Sequence, residues 1–197
     1  MHPELLEYLA GGLSIRSGDT AAARASLRRL ERPRRTPEAR TVAPDAAASI
    51  RAQLALRAGR THEAARALKE VLRLEARVGL IGGSPFYSQG LERYVYAGVL
   101  EQEGRWEDAL RWYGSFSSNS IFDFIYLAPS HVHSGLLLER LGRQKEAAQH
   151  YQLVLKLYQG SDPEFRPLVE AAEGGHAGTG ERENEEPSPT EPGARSR

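Results

Sequence analysis

The stretch that decides the fold is Gly104-Arg105-Trp106-Glu107-Asp108-Ala109, and its pattern recurs in Gly142-Arg143-Gln144-Lys145-Glu146-Ala147. Two earlier segments, which begin at Gly18 and Gly59, follow the same pattern. In all four, an alanine stands five positions after the glycine: Ala23, Ala64, Ala109 and Ala147. Helix-length segments flank each copy, and the apolar residues show no strand-like alternation. The sequence therefore predicts an all-α fold made of paired helices.

The spacing has a physical explanation. Glycine can adopt the left-handed backbone conformation that ends a helix, and the polar residues after it can open the next one. An alanine one turn into the second helix lets the two helices approach closely. Large side chains follow four positions later, on the same helical face: Leu27, Leu68, Tyr113 and Tyr151.

This pattern resembles the tetratricopeptide repeat family, bacterial type. The family's small residue seven positions before the glycine is matched by Gly11, Ala52, Ala97 and Gly135. The resemblance implies a right-handed superhelical solenoid of about four helical hairpins, closed by a C-terminal capping helix. The glycines are 41, 45 and 38 positions apart, whereas the family repeat is about 34 residues long. The family's fourth-position tryptophan is replaced by Glu7, Ala48, Arg93 and His131.

Breaks in the helical pattern suggest the organisation of the chain. We predict a degenerate hairpin over 1–31, an Arg/Pro-rich linker over 32–43, and a repeat region over 44–173. That region would contain repeats at about 44–78, 88–116 and 129–159 and a terminal helix at 162–173. An extended loop is expected over 115–128, and a glycine-rich connector over 79–85. Residues 174–197 lack Leu, Ile, Val, Met and aromatic residues, so we expect a disordered tail there.

Composition limits the possible functions. The 197 residues carry 26 Lys and Arg against 26 Asp and Glu, which argues against a strongly basic nucleic-acid binder. No apolar run reaches the roughly 18 residues of a membrane-spanning helix. No signal segment is evident, so a cytoplasmic location is the default expectation. The absence of cysteine excludes disulfides and thiolate chemistry.

The family resemblance implies a non-catalytic protein–protein interaction scaffold without a cofactor or metal. Its concave groove would bind a peptide or helix of another protein, and it would be lined by the first helix of each repeat. Carried onto this sequence, the groove residues are Gln53, Tyr94, Glu101, Leu136 and Glu139. Phe124, in the expected loop, would form an apolar lip. The Lys/Asn/Arg set with which some members clamp a C-terminal carboxylate is missing.

Other readings of the sequence have weaker support. Residues 24–40 contain seven arginines and two glutamates, which could bind phosphate or an acidic partner. The segment 85–169 also resembles helical repeats of large bacterial regulatory proteins, so the chain could be a stand-alone or fragmentary module of a signalling or transcription regulator.

His131 and His133 lie two positions apart, which on a helix separates their side chains and argues against a metal site. Adjacent Ser130 and His131 do not face each other, which argues against a hydrolase. Partner identity and oligomeric state are not given by the sequence.

Overall fold

A computed structural model describes residues 3–32, 37–72, 88–116, 121–160 and 162–183. All regular structure within these ranges is helical. The chain divides into two compact units, Met1–Tyr126 and Leu127–Arg197. The helices are α1 (Pro3–Ser17), α2 (Thr20–Leu30), α3 (Pro37–Arg57), α4 (Thr61–Val71), α5 (Gly90–Gln102), α6 (Trp106–Tyr113), α7 (Phe124–Arg140), α8 (Gln144–Leu157) and α9 (Arg166–Glu183), the last preceded by a 3-10 turn at Pro163–Phe165.

The four pattern glycines lie at the turns between consecutive helices. Their φ angles lie between 72° and 87°, the left-handed region that L side chains rarely adopt. At Gly59, Gly104 and Gly142 the next residue donates its backbone N–H to a carbonyl five residues earlier, for example Arg105 to Leu100 at 2.9 Å. This Schellman pattern satisfies carbonyls that the ending helix would otherwise leave open. The chain thus reverses sharply after the first helix of these pairs.

The second helices of three pairs begin with the same ion pair. Arg60, Arg105 and Arg143 occupy the N-cap positions, and their side chains make no capping hydrogen bond to the backbone. Each guanidinium instead contacts an acidic side chain three residues later at 2.6 Å, namely Glu63, Asp108 and Glu146 respectively. The acid also lies near the positive end of the helix dipole. In α2, by contrast, Asp19 accepts the Ala22 N–H at 2.9 Å and caps the helix directly.

Small residues stand where the paired helices meet. Ala23, Ala64, Ala109 and Ala147 have no exposed surface, and Ala52 and Ala97 are equally buried. Gly11 lies against Ile50 and Ser26, and Gly135 lies against the ring of Tyr151. A side chain at either glycine would overlap its neighbour, so close helix packing requires these small residues.

The first unit is held together by apolar side chains from α1, α2 and α3. Ile15, Leu30, Ile50 and Leu54 form its buried cluster, with Tyr8 and Leu27 packed against the edge. Burying a side chain of this size contributes about 1.5–3 kcal/mol each. The first hairpin is therefore packed against α3, and α4 continues the contact to α5.

A buried carboxylate links three helices of the first unit. Glu92 of α5 accepts hydrogen bonds from the Tyr8 hydroxyl of α1 at 2.8 Å and from the Ser49 hydroxyl of α3 at 2.6 Å. Burial, and then the charge of Glu92, raise the pKa of Tyr8. Because a buried charge is costly unless it is hydrogen-bonded, this network favours one register of the three helices.

The predicted linker over 32–43 is wrong in its second half. Helix α3 begins at Pro37 and passes through Pro44 without ending. Proline is suited to the first helical position, where its missing N–H is not needed. Buried Val42, Ala43, Ala46 and Ala47 attach this added stretch to the unit, and that burial outweighs the hydrogen bond lost at Pro44. Residues 33–36 lie outside the described residues.

The predicted terminal helix is too short, because α9 continues through Gly174 and Gly175 to Glu183. The expected disorder from residue 174 is therefore wrong for 174–183. Gly175 lies so close to the Tyr151 ring that a side chain there would overlap it. This glycine permits helix packing and does not end the helix. Residues 184–197 lie outside the described residues.

The predicted extended loop over 115–128 is also wrong at its end, because α7 begins at Phe124. Asp123, just before the helix, accepts a hydrogen bond from the Arg93 side chain, and the pair is largely buried. The guanidinium of Arg93 also lies 4.5 Å from the centre of the Phe116 ring. These contacts fix the start of α7. The glycine-rich connector over 79–85 and the predicted helix beyond Leu72 lie outside the described residues.

Candidate functional site

Tyr94 is the centre of an aromatic cluster in the first unit. Its ring centre lies 5.4 Å from that of Tyr126, 5.8 Å from Tyr113 and 6.3 Å from Phe116. Tyr94 is half-buried, so it presents only part of its surface to solvent. Burial, and then the charge of Glu101, raise its pKa. The sequence predicts Tyr94 as a groove residue; in the structure its ring packs against three aromatic rings and part of its surface stays accessible.

Glu101 and Gln53 are half-buried and hydrogen-bonded inside the first unit. The Glu101 carboxylate accepts the Tyr113 hydroxyl at 3.0 Å, and burial followed by the charge of Glu101 raises the pKa of Tyr113. The Gln53 side-chain amide donates to the Ser49 hydroxyl at 3.3 Å. Both residues therefore support neighbouring side chains while keeping part of their surface accessible.

Three large apolar side chains are exposed where α7 begins. Ile121 is 75% exposed, Phe124 50% and Ile125 71%. Ile121 lies three positions before the first residue of the helix, and Phe124 and Ile125 lie in its first turn. We call these three residues the apolar patch. The neighbouring Phe122 and Tyr126 are half-buried. Of the three aromatic side chains in this segment, Phe124 is therefore the most exposed.

In the second unit, Leu136 and Glu139 occupy the later part of α7. Leu136 is 37% exposed and Glu139 is half-buried. Burial, and then the charge of Glu139, raise the pKa of Tyr151, whose ring fills the space beside Gly135. Tyr113 and Tyr151, predicted at equivalent positions, are both buried near a glutamate of the preceding helix.

Two histidines whose contact the sequence did not predict lie next to each other in the structure. His131 of α7 and His150 of α8 lie with their Nδ1 atoms 2.8 Å apart. They are 19 positions apart, so only the hairpin geometry reveals the pair. His131 therefore contacts another imidazole, while the adjacent Ser130 is buried. Among the described residues, no group of three or more His, Cys, Asp or Glu side chains is arranged to hold a metal ion.

An arginine and a glutamate of the basic segment 24–40 form ion pairs with neighbouring helices. Arg29 pairs with Glu7 of α1 at 2.8 Å. Glu31, within the segment, pairs with Arg51 of α3 at 2.9 Å. Arg24 and Arg28 are exposed on α2. The segment also contributes Pro37–Arg40 to helix α3, so it is not a continuous linker.

Comparison with known proteins identifies one part of the chain. Residues 131–161, which cover most of α7, all of α8 and the turn at Gly142, match the tetratricopeptide repeat family. This segment is similar to a tetratricopeptide repeat. A search of curated proteins and a search of solved structures found no match. The repeat carries both Leu136 and Glu139, together with the histidine pair. Within the described ranges, no helix is long and apolar enough to cross a membrane.

Proposed function

We propose that this protein belongs to the tetratricopeptide repeat family and is a non-catalytic scaffold that binds a peptide or helix of another protein. The apolar patch carries the proposal, because three large apolar side chains within five positions are half or more exposed. Such clusters mark protein interaction sites more often than isolated exposed residues do. The patch stands at the start of the helix that enters the matched repeat.

We further propose that the other helix pairs are degenerate copies of the same repeat, stacked as a right-handed solenoid of about four hairpins. The shared glycine turns, the buried alanines and the repeated Arg–acid pairs support this relationship. Tetratricopeptide arrays are built by stacking such units, each of which buries an apolar face against its neighbour.

Each unit, taken by itself, offers residues suited to peptide binding. In the first unit, Phe124 would supply an apolar contact, and the accessible parts of Gln53, Tyr94 and Glu101 would supply polar ones. In the second unit, Leu136 and Glu139 offer the same combination of apolar and acidic character. An extended or helical peptide with apolar anchors and a basic residue suits this chemistry.

A display library of random peptides, selected against the full chain, tests the proposal without a known partner. We expect enriched peptides to bind the wild type and to lose at least about tenfold in affinity to the Phe124→Ser/Ile125→Ser variant, since buried aromatic and aliphatic anchors dominate such interfaces. Leu13→Ser is the matched control, because Leu13 is 64% exposed on α1, away from the patch in sequence.

Two results would contradict the proposal. One is enrichment of peptides whose affinity is equal for wild type and the patch variant. The other is capture of nucleic acid alone, with an affinity that falls steeply with salt, which would assign the function to the arginines of residues 24–40. Unchanged thermal midpoints of both variants would show that any loss of binding is not a loss of folding.

A further inference from the structure

The contact between His131 and His150 joins the two helices of the matched repeat. Their Nδ1 atoms are 2.8 Å apart, and the ring centres are 5.0 Å apart with a tilt of 51°. At this distance one Nδ1 carries a hydrogen and the other accepts it, which requires at least one neutral imidazole. If both rings carried protons, two N–H groups and two positive charges would face each other.

Burial and two charged neighbours shift the pKa values of the pair. The largest influence on both imidazoles is burial, since each ring is about half removed from solvent. The charge of His150 adds to this effect at His131, and the pKa of His131 falls to about 4. Glu146, one turn before His150 on α8, partly counteracts burial at His150. Its carboxylate is already paired with Arg143 at 2.6 Å, which limits its ability to neutralise a second proton.

We propose that His131 and His150 form a proton-operated latch that holds α7 and α8 together when neutral and releases them when both rings are protonated. The latch rests on the hairpin contact and does not depend on what the protein binds. Histidine is the residue whose charge changes most readily in mildly acidic solution, and paired imidazoles titrate as a unit.

The direction of the effect follows from proton linkage. An unfolded histidine has a pKa of about 6.5, whereas burial lowers the pKa of both histidines in the folded hairpin. Between about pH 6.5 and 4 the unfolded chain therefore binds more protons than the folded one, and stability falls as the pH falls. The latch is fully closed above about pH 7. Because both rings keep some solvent contact, we expect about a tenfold loss in the folding equilibrium constant between about pH 7 and 5.

Urea denaturation of the full chain at these two pH values tests the latch. The His131→Gln/His150→Gln variant keeps polar side chains at both positions but cannot titrate there. Its folding equilibrium constant should lack the roughly tenfold fall on acidification that the pair contributes in the wild type. His133→Gln removes a histidine of the same helix outside the pair, and it should behave like the wild type. Carboxylate titration acts on all three proteins and cancels in the comparison.

Nuclear magnetic resonance titration of the histidine rings in the wild type provides an independent result that needs no variant to fold. We expect the His131 ring to remain neutral well below the ordinary histidine pKa of about 6.5. Equal acid sensitivity of the wild type and the double variant would overturn the latch. Titration of His131 at the ordinary histidine pKa of about 6.5 would overturn it as well.

Discussion

Two adjacent glycines of α9 provide a matched test of how the second unit is packed. A side chain at Gly175 would overlap the ring carbons and hydroxyl of Tyr151, which has no exposed surface. A side chain at Gly174 meets nothing within 4 Å. Gly175→Ala and Gly174→Ala therefore make the same chemical change in the same helix, and they differ only in what the new methyl group contacts.

The expected magnitudes follow from two opposing effects. Replacing a helical glycine by alanine stabilises by about 0.8–1.0 kcal/mol in a helix interior. Forcing a methyl group into a filled core costs about 1–3 kcal/mol, because the buried ring has little room to move. Gly174→Ala should thus stabilise by up to about 1 kcal/mol. Gly175→Ala should range from neutral to about 2 kcal/mol destabilising, so the two variants should differ by about 1–3 kcal/mol.

Urea denaturation, monitored by the circular dichroism signal of the helices, measures the difference in the free energy of unfolding between the two variants. Hydrogen exchange of peptides from α8 and α9 assigns that difference to the second unit. A Tyr151→Leu background provides the decisive control, since it removes the ring that obstructs the new methyl group. In that background, Gly175→Ala should behave like Gly174→Ala. Equal effects of both substitutions in the wild-type background would refute the reasoning, because they would show that α9 does not pack on Tyr151 beyond Glu173.

Three further predictions concern buried contacts. Glu92→Leu leaves the hydroxyls of Tyr8 and Ser49 without their acceptor; we expect a loss of about 2–4 kcal/mol by denaturation, and a smaller loss for Tyr8→Phe. Arg93→Leu removes the guanidinium from the largely buried ion pair with Asp123; it should cost about 3–5 kcal/mol, and adding Asp123→Leu should recover much of that cost in a double-mutant cycle. Ala147→Leu should overpack the contact between α7 and α8 and lower the free energy of unfolding by about 1–3 kcal/mol. An unchanged melting temperature would argue against the prediction that this alanine stands where the two helices meet.

The sequence predicted the elements that depend on local spacing. The glycine–alanine offset is a local signal, because it reflects the geometry of one turn and one helix crossing. The all-helical fold and the matched repeat agree with it. The start of α3 at Pro37 was mispredicted, because burial of Val42 and Ala43 outweighs the preference of proline to end a helix. The continuation of α9 past Gly174 was mispredicted, because Gly175 packs against Tyr151 and does not end the helix.

The candidate site was harder to predict than the fold. Phe124 was expected in an extended loop, but the Arg93–Asp123 pair starts a helix there, a contact between residues 30 positions apart. The His131–His150 contact likewise depends on how two helices face each other. Such pairings have no periodic signature in a single sequence, so only the folded structure reveals them.

The buried bond between Tyr8 and Glu92 also has a consequence for synthesis on the ribosome. The two residues are 84 positions apart, so the first hairpin leaves the ribosome well before its buried acceptor exists. At about 5–20 residues per second, the Tyr8 hydroxyl waits about 4–17 s for residue 92 to be added. During that interval the nascent hairpin lacks the contact that fixes its register with α5. The first unit therefore cannot complete its native packing until α5 has been synthesised.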